Sequence, residues 1–172
     1  MHQYNKMIPS KKLQSYDVFP QMGAQEITSE IISASEQGYD FILANYANGD
    51  MVGHSGNLTA ATQAVEIMDK YIGKMLGSLL KKQYKVIICS DHGNCDEMID
   101  FNSGKPNKEH TLNPVPFILC DLERAGQYSS KTDFFSLNPQ AVLADISPTI
   151  LSIMNIEKPD EMTGLNITES LI

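Results

Sequence analysis

The stretch from Asn45 to His110 decides how this chain is organised, and its two cores read Asp50-Met51-Val52-Gly53-His54 and Ser90-Asp91-His92-Gly93-Asn94. In the first core, Asp50 and His54 are four residues apart, so one helical turn or a tight loop can direct both side chains at one point. In the second core, Asp91 and His92 are adjacent. Adjacent side chains converge only where regular structure breaks, which Gly93 permits. Both patterns are typical of a metal site at the end of a strand.

Apolar runs on either side of these cores predict an α/β fold. Phe41-Ile42-Leu43-Ala44 and Val86-Ile87-Ile88-Cys89 are short apolar runs, which indicate strands buried on both faces of a parallel sheet. Between them, apolar residues recur every three or four positions from Leu58 to Leu79, which predicts a long helix capped by Ser55 or Asn57. A strand-helix-strand unit crosses over right-handedly, and open α/β sheets bind ligands at the carboxyl ends of their strands. We therefore expect both cores at one edge of a mostly parallel sheet flanked by helices.

The remaining elements are predicted from local spacing and turn residues. We expect a loop or an edge segment at residues 7–13, a helix from Ala24 to Gln37 ended by Gly38, and an edge or entry strand at residues 114–119, which include two prolines. Residues 121–139 show only a weak pattern and are predicted to be irregular with at most a short strand. A helix begins at Asp145 or Ser147 and stops near Asn155, and a tail of loop and short terminal element follows.

Composition indicates a single compact globular unit spanning residues 1–172. Of the residues, 42% are apolar, and the net charge is -8 with only 13 scattered Lys and Arg, which argues against nucleic-acid or acidic-membrane partners. The three cysteines form no C-x-x-C pair, so we expect reduced thiols in the cytoplasm. Cys89 and Cys95 are interpreted as buried small hydrophobic residues. No apolar run approaches the length of a membrane span, and we expect no secretion signal.

Five side chains mix carboxylate oxygen with imidazole nitrogen: Asp50, His54, Asp91, His92 and His110. A lone histidine is more often structural, and His2 is interpreted so, but three of the four histidines here stand beside Asp, Gly or Thr. This ligand set suits Mn²⁺, Zn²⁺ or Mg²⁺ better than a structural zinc site, which favours cysteine. Five ligands exceed what one catalytic ion usually takes from protein. Two ions would explain the number, and paired ions stabilise phosphoryl transfer.

Phosphoryl transfer through a covalent intermediate also needs a nucleophile. The serines nearest the two cores are Ser55 and Ser90, and neither has an independent signal for that role. Ser55 is better interpreted as a helix cap.

Several motifs together closely resemble the cofactor-independent phosphoglycerate mutase family. They occupy residues 45–56, 90–96, 110–116, 143–149 and 161–164. The resemblance covers nearly the whole chain, but only the carboxyl-terminal part of such an enzyme, whose metal-binding domain has an alkaline-phosphatase-like α/β fold. It implies the interconversion of 3-phosphoglycerate and 2-phosphoglycerate in glycolysis, through a phosphoserine and two divalent ions. Mn²⁺ is the expected metal, with Zn²⁺, Co²⁺ or Mg²⁺ as alternatives.

The same resemblance implies a role for each matching residue. Asp50, His54 and His110 look like the ligands of one ion, and Asp91 with His92 looks like part of the shell of the other. Lys12 matches a family lysine near the transferring phosphoryl group, which implies a catalytic and substrate-binding role. Two positions depart from the family pattern, since Lys11 and Gly49 stand where the family often has proline.

The family's nucleophilic serine, a further aspartate ligand and the arginine-rich substrate-binding lid domain have no counterpart in this sequence. We therefore expect a fold that is incomplete without an amino-terminal segment, which would be its partner, and an isolated chain that is inactive.

Two alternative functions stay open. One is another alkaline-phosphatase-superfamily enzyme, such as a phosphopentomutase or a metal-dependent hydrolase, although residues 91–96 and 111–116 favour the mutase. The other is a non-catalytic metal-binding fragment.

Overall fold

A computed structural model describes residues 3–10, 12–124 and 139–171, which pack as two units, Met1–Leu122 and Glu123–Ile172. The sequence predicts one compact unit, whereas the contacts divide the chain into two. The apolar pattern of the sequence weakens after Cys120, close to the boundary between the two units. A short 3₁₀ turn at Leu122–Arg124 spans the boundary between the units and ends this described part of the chain. The remainder of the weakly patterned segment, up to residue 138, lies outside the described residues.

In its described residues, the first unit has three helices and two strands. They are α1 (Ala24–Glu36), α2 (Asn48–Gly53), α3 (Leu58–Leu79), β1 (Val86–Cys89) and β2 (Phe117–Cys120), with 3₁₀ turns at Tyr16–Val18 and Leu80–Lys82. The prediction of α1 is confirmed, and Gly38 follows it in the left-handed region with φ of 77°.

The predicted long helix is α3, which has 22 residues. Its N-cap is Asn57, whose side-chain oxygen accepts a hydrogen bond from the backbone N–H of Ala60 at 3.2 Å. One end of α3 packs against α1 and β1 through Ile31, Met75, Leu79 and Val86. In the part of the chain that the structure describes, no helix is both long enough and apolar enough to cross a membrane.

The other end of α3 carries three buried alanines, which form its contact with α2. Ala60, Ala61 and Ala64 pack around Val52 of α2, and Val52 is fully buried. Because these side chains are small, the two helices approach closely. Burying a valine stabilises a fold by roughly 1.5–3 kcal/mol, so this contact fixes the short helix that carries Asp50.

The two strands form an antiparallel pair, with Val86 opposite Cys120 and Cys89 opposite Phe117. The strands at 86–89 and 117–120 match the predicted positions, but the parallel strand at residues 41–44 does not form. Ile42 packs into the core, whereas Phe41 and Leu43 are 50% and 84% exposed. A strand exists only when a neighbour pairs with its backbone, and in the described residues β1 and β2 pair only with each other. The α/β class is thus confirmed, and the predicted parallel unit with its right-handed crossover was wrong.

The second unit is built around the buried carboxylate of Asp145. Its elements are a 3₁₀ turn at Leu143–Asp145, α4 (Ile146–Ile153) and a 3₁₀ turn at Thr168–Ser170, as the sequence predicts for this helix. The two carboxylate oxygens of Asp145 accept hydrogen bonds from the backbone N–H groups of Val142 at 2.9 Å and Leu165 at 2.8 Å. These bonds hold the pKa of Asp145 below its ordinary value, although partial desolvation opposes them.

Asp145→Asn is expected to destabilise the second unit at neutral pH and to flatten its stability in acid. Because the folded pKa of Asp145 lies below the unfolded value, its contribution is fully present above the unfolded pKa of about 4. That contribution is lost as the pH falls through the lower, folded value. Asparagine offers one acceptor oxygen where two N–H groups need one each. Thermal unfolding of both proteins between pH 7 and pH 2 tests this, with the exposed Asp160→Asn as control. Parallel pH profiles for wild type and Asp145→Asn would contradict it.

Candidate metal centre

The helix α2 positions Asp50 and His54 on one face. Asp50 lies in its first turn and His54 is its C-cap, so the four-residue spacing places His54 Nε2 3.1 Å from Asp50 Oδ1. The helix is anchored by Asn48, which is buried and donates its side-chain N–H to the carbonyl of Pro20 at 2.7 Å. The sequence allowed a helical turn or a tight loop here, and the structure shows the helical turn.

His110 completes a triangle with these two side chains. Its Nε2 lies 2.9 Å from Asp50 Oδ1 and 3.1 Å from His54 Nε2. We call Asp50, His54 and His110 the ligand triangle. The three side chains are between 35% and 48% exposed, so an ion can enter from solvent.

The ring of His54 is held by a backbone group that no sequence pattern indicates. Its Nδ1 lies 2.5 Å from the carbonyl oxygen of Lys108. A carbonyl only accepts hydrogen bonds, so Nδ1 carries the proton and the lone pair of Nε2 faces Asp50 and His110. Metal-binding histidines typically have their second nitrogen held in this way.

His92 and Asp91 lie beside the ligand triangle. The His92 ring stacks on the His110 ring, with 3.7 Å between centroids and 21° between planes. The Nε2 of His92 is 3.9 Å from Asp50 Oδ1 and 3.7 Å from Asp91 Oδ1. Asp91 itself is 87% exposed, so it lies at the outer edge of the cluster. Four of the five predicted ligands therefore converge, and the fifth is adjacent.

Lys12 is exposed, and in the described residues no hydrogen bond or ion pair joins its amine to the ligand triangle. Its neighbour Lys11 lies outside the described residues. The structure therefore leaves the predicted role of Lys12 open.

Neither serine near the cores points its hydroxyl at the ligand triangle. The hydroxyl of Ser55 donates to the carbonyl of Val52 at 2.6 Å and accepts from the N–H of Asn57 at 3.1 Å. The hydroxyl of Ser90 donates to the carbonyl of His92 at 2.7 Å. Both hydroxyls thus bond to nearby backbone groups. The interpretation of Ser55 as the helix cap was wrong, because Asn57 is the N-cap of α3.

The cysteines near the site are thiols without a ligand role in the triangle. Cys95 is partly buried and donates to the carbonyl of Gly49 at 3.0 Å, and burial raises the pKa of its thiol. Cys89 is exposed, so the expectation that it is a buried hydrophobic residue was wrong. It is the last residue of β1, where the strand leaves the core.

Sequence reasoning missed Asn94 as a partner of the site. Asn94 is only 7% exposed, and its side-chain nitrogen is 3.5 Å from Asp50 Oδ1. A Cβ carbon at Gly53 would lie 1.8 Å from the Asn94 oxygen, so the glycine permits this close approach. The available signal in the sequence was the position of Asn94, which directly follows Gly93 in the core that also contains the candidate ligands Asp91 and His92.

The geometry of the ligand triangle fits a divalent cation. An ion with metal–ligand distances of about 2.1 Å separates neighbouring ligand atoms by about 3.0 Å when octahedral and about 3.4 Å when tetrahedral. The three distances here are 2.9, 3.1 and 3.1 Å. One carboxylate oxygen and two imidazole nitrogens are ligands that suit such ions. The site can therefore hold a divalent metal with its own residues as they stand.

Comparison with known proteins shows which family this chain matches and which enzymes it resembles. Residues 2–158 match the family model described as the Metalloenzyme superfamily. The chain is 45% identical over 164 residues to the 2,3-bisphosphoglycerate-independent phosphoglycerate mutase of Clostridium acetobutylicum, which covers 95% of the chain and 30% of that protein. It is 41% identical over 166 residues to the enzyme of the same name from Ehrlichia canis, covering 96% of the chain and 31% of that protein.

A solved structure agrees with these similarities. The crystal structure of Leishmania mexicana phosphoglycerate mutase at low cobalt concentration matches with a TM-score of 0.76 and 29% identity, covering 94% of this chain and 31% of that one. The chain thus spans about 30% of the length of the curated relatives that it matches.

Proposed function

Because this chain belongs to the Metalloenzyme superfamily, we propose that it forms the metal-binding part of a cofactor-independent phosphoglycerate mutase. The reaction would be the glycolytic interconversion of 3-phosphoglycerate and 2-phosphoglycerate in the cytoplasm. The observation that carries the proposal is the ligand triangle, in which two imidazole nitrogens lie within 3.1 Å of Asp50 Oδ1. In this proposal the serine nucleophile and the substrate-binding lid come from the rest of the full-length enzyme.

The proposed metal centre holds two ions in neighbouring positions. Asp50, His54 and His110 hold one, and Asp91 with His92 contributes to the other. The short distance of 3.9 Å between His92 Nε2 and Asp50 Oδ1 supports this, because it places the two sets side by side. When bound, such ions supply positive charge to the oxygens of a transferring phosphoryl group.

Mn²⁺ is the metal we propose, with Co²⁺, Zn²⁺ or Mg²⁺ as alternatives. One carboxylate oxygen and two imidazole nitrogens form a ligand set that suits Mn²⁺, Co²⁺ and Zn²⁺. Mixed carboxylate and imidazole ligands also favour Mn²⁺ over Mg²⁺, because Mg²⁺ prefers oxygen alone.

The chain's own residues have distinct tasks in this proposal. The carbonyl of Lys108 keeps the His54 ring in one tautomer. The side-chain nitrogen of Asn94 contacts Asp50 Oδ1, the carboxylate oxygen that both histidines of the ligand triangle approach. Lys12 brings its amine to the phosphoryl group, where a lysine acts as a compact positive charge. None of these residues is a nucleophile, so catalysis by this chain alone is not expected.

The proposal is tested by combining the chain with the missing portion of a relative. With Mn²⁺ present, the chain alone is expected to show no mutase turnover. Mixing it with a separately produced remainder of the Clostridium acetobutylicum enzyme is expected to restore turnover, while the remainder alone and a mixture with the Asp50→Asn chain stay inactive. Robust turnover by the isolated chain would contradict the proposed division of residues. A mixture that binds Mn²⁺ and associates but never turns over would favour a non-catalytic metal-binding role.

A further inference from the structure

Asp96 connects two loops that meet next to the ligand triangle. One carboxylate oxygen, Oδ2, accepts a hydrogen bond from the Thr111 hydroxyl at 2.7 Å and another from the side-chain N–H of Asn113 at 2.6 Å. Asp96 belongs to the loop that follows β1, and the two donors directly follow His110. Partial desolvation raises the pKa of Asp96, but the bonds from Asn113 and Thr111 outweigh it and lower that pKa. The carboxylate is therefore ionised at neutral pH, as both donors require.

The same two loops are joined through their backbones. The N–H of Thr111 donates to the carbonyl of Gly93 at 2.9 Å, and these residues form an isolated antiparallel bridge. A Cβ carbon at Gly93 would lie 2.1 Å from the Thr111 hydroxyl oxygen and 2.7 Å from Asp96 Oδ1. The three residues thus pack without spare room. Any movement of Asp96 must move Thr111.

His110 depends on this junction more than His54 does. The His54 ring is fixed at Nδ1 by the Lys108 carbonyl, as described above. In the described ranges, the hydrogen bonds of the His110 ring all involve Nε2, and its other contacts are with the His54 and His92 rings. No second partner holds Nδ1 there. Apart from these contacts within the cluster, the described contacts position His110 through its backbone, which the neighbouring Thr111 joins to Gly93.

We propose that Asp96 is a positioning residue for the metal centre, which holds residues 110–113 against the loop after β1 and so keeps His110 Nε2 within reach of Asp50. This role rests on the proposed function, because it requires His110 to be a metal ligand. Asp96 itself does not touch the ion in this proposal, since its Oδ2 is used by Thr111 and Asn113.

Asp96→Asn is expected to weaken Mn²⁺ binding to the chain by about 10- to 100-fold, the usual loss when a partner of a metal ligand is removed. Thr111 and Asn113 both donate to the same oxygen, Oδ2, and asparagine replaces this charged acceptor with a neutral amide oxygen, so both hydrogen bonds lose their charge assistance. Titration calorimetry with MnCl₂ measures the affinity. Visible absorption of bound Co²⁺ is expected to change as well, because it reports the arrangement of the ligands around the ion.

The matched control is Asp100→Asn. Asp100 also accepts a short hydrogen bond, from the backbone N–H of Ser103 at 2.6 Å, but that bond closes its own turn. We expect Mn²⁺ affinity to be unchanged there. Thr111→Val removes one donor to Asp96, and its effect on affinity is expected to be non-additive with that of Asp96→Asn, since both break one junction.

The outcomes separate this inference from the proposed function. If Asp50→Asn loses Mn²⁺ while Asp96→Asn keeps wild-type affinity and Co²⁺ spectrum, the positioning role is overturned and the metal centre stands. If Asp50→Asn binds Mn²⁺ as wild type does, or wild type binds none, the metal centre itself is overturned and the positioning role falls with it. Weaker binding by Asp96→Asn, with wild-type affinity in Asp100→Asn and non-additivity with Thr111→Val, supports the role.

Discussion

Asp50→Asn is expected to weaken Mn²⁺ binding by more than about 100-fold, beyond the roughly 10- to 100-fold loss typical of outer partners. Asp50 Oδ1 lies within 3.1 Å of both histidine nitrogens of the ligand triangle, and it also lies 3.9 Å from His92 Nε2. Asparagine keeps the shape of the side chain but removes its negative charge. A neutral amide oxygen is a much weaker ligand for a divalent ion than a carboxylate. Calorimetric titration with MnCl₂ measures the change.

The control for Asp50→Asn removes the same charge elsewhere on the same packed pair of helices. Asp69 is exposed on α3, and Asp69→Asn is expected to bind Mn²⁺ as wild type does. Circular dichroism of both variants checks that the helices remain. Binding by Asp50→Asn within about threefold of wild type would remove Asp50 from the metal centre, because losing a direct ligand costs more than losing its neighbours.

Gly93→Ala is expected to lower both the stability of the chain and its affinity for Mn²⁺. The added methyl group would lie 2.1 Å from the Thr111 hydroxyl oxygen and 2.7 Å from Asp96 Oδ1, well inside van der Waals contact. Overpacking of this kind costs about 1–3 kcal/mol, and relief requires the two loops to separate. Since His110 moves with Thr111, the ligand triangle opens. Urea unfolding measures the stability, and the same calorimetric titration measures the affinity.

Gly77→Ala is the matched control, because it adds the same methyl group where nothing lies within 4 Å. Gly77 is inside α3, where alanine is favoured over glycine by up to about 1 kcal/mol, so this variant is expected to gain stability. Its Mn²⁺ affinity is expected to be unchanged. If Gly93→Ala were as stable as wild type and bound Mn²⁺ equally well, the two loops would not be packed as described.

The helices α1, α3 and α4 were predictable because their signals are local. The spacing of apolar residues from Leu58 to Leu79 and the cap at Asn57 are both contained in one segment. The strand predicted at residues 41–44 failed for the opposite reason, since pairing depends on a second segment that its own pattern does not reveal. The short helix α2 was also hidden, because Asn48, Gly49 and Gly53 are weak helix formers.

The candidate site also combines local features, which could be predicted from the sequence, with long-range contacts, which could not. The spacing of Asp50 and His54 is a local signal, and the structure places them together as the pattern indicates. The stacking of His92 on His110, and the hydrogen bond that His54 Nδ1 donates to the Lys108 carbonyl, join residues far apart in the sequence. Residue type does not indicate which backbone carbonyls accept side-chain hydrogen bonds, so the contact of the Lys108 carbonyl with His54 could be found only from the fold.

The alanines on α3 have a consequence for how this protein can vary. Because Ala60, Ala61 and Ala64 set the distance between α3 and α2, they act as a spacer that determines how far Asp50 projects toward the two histidines. A larger residue at any of the three would lift α2 outward, and the carboxylate with it. The position of Asp50 in the candidate metal centre therefore depends partly on a face of α3 that does not itself contribute a candidate ligand.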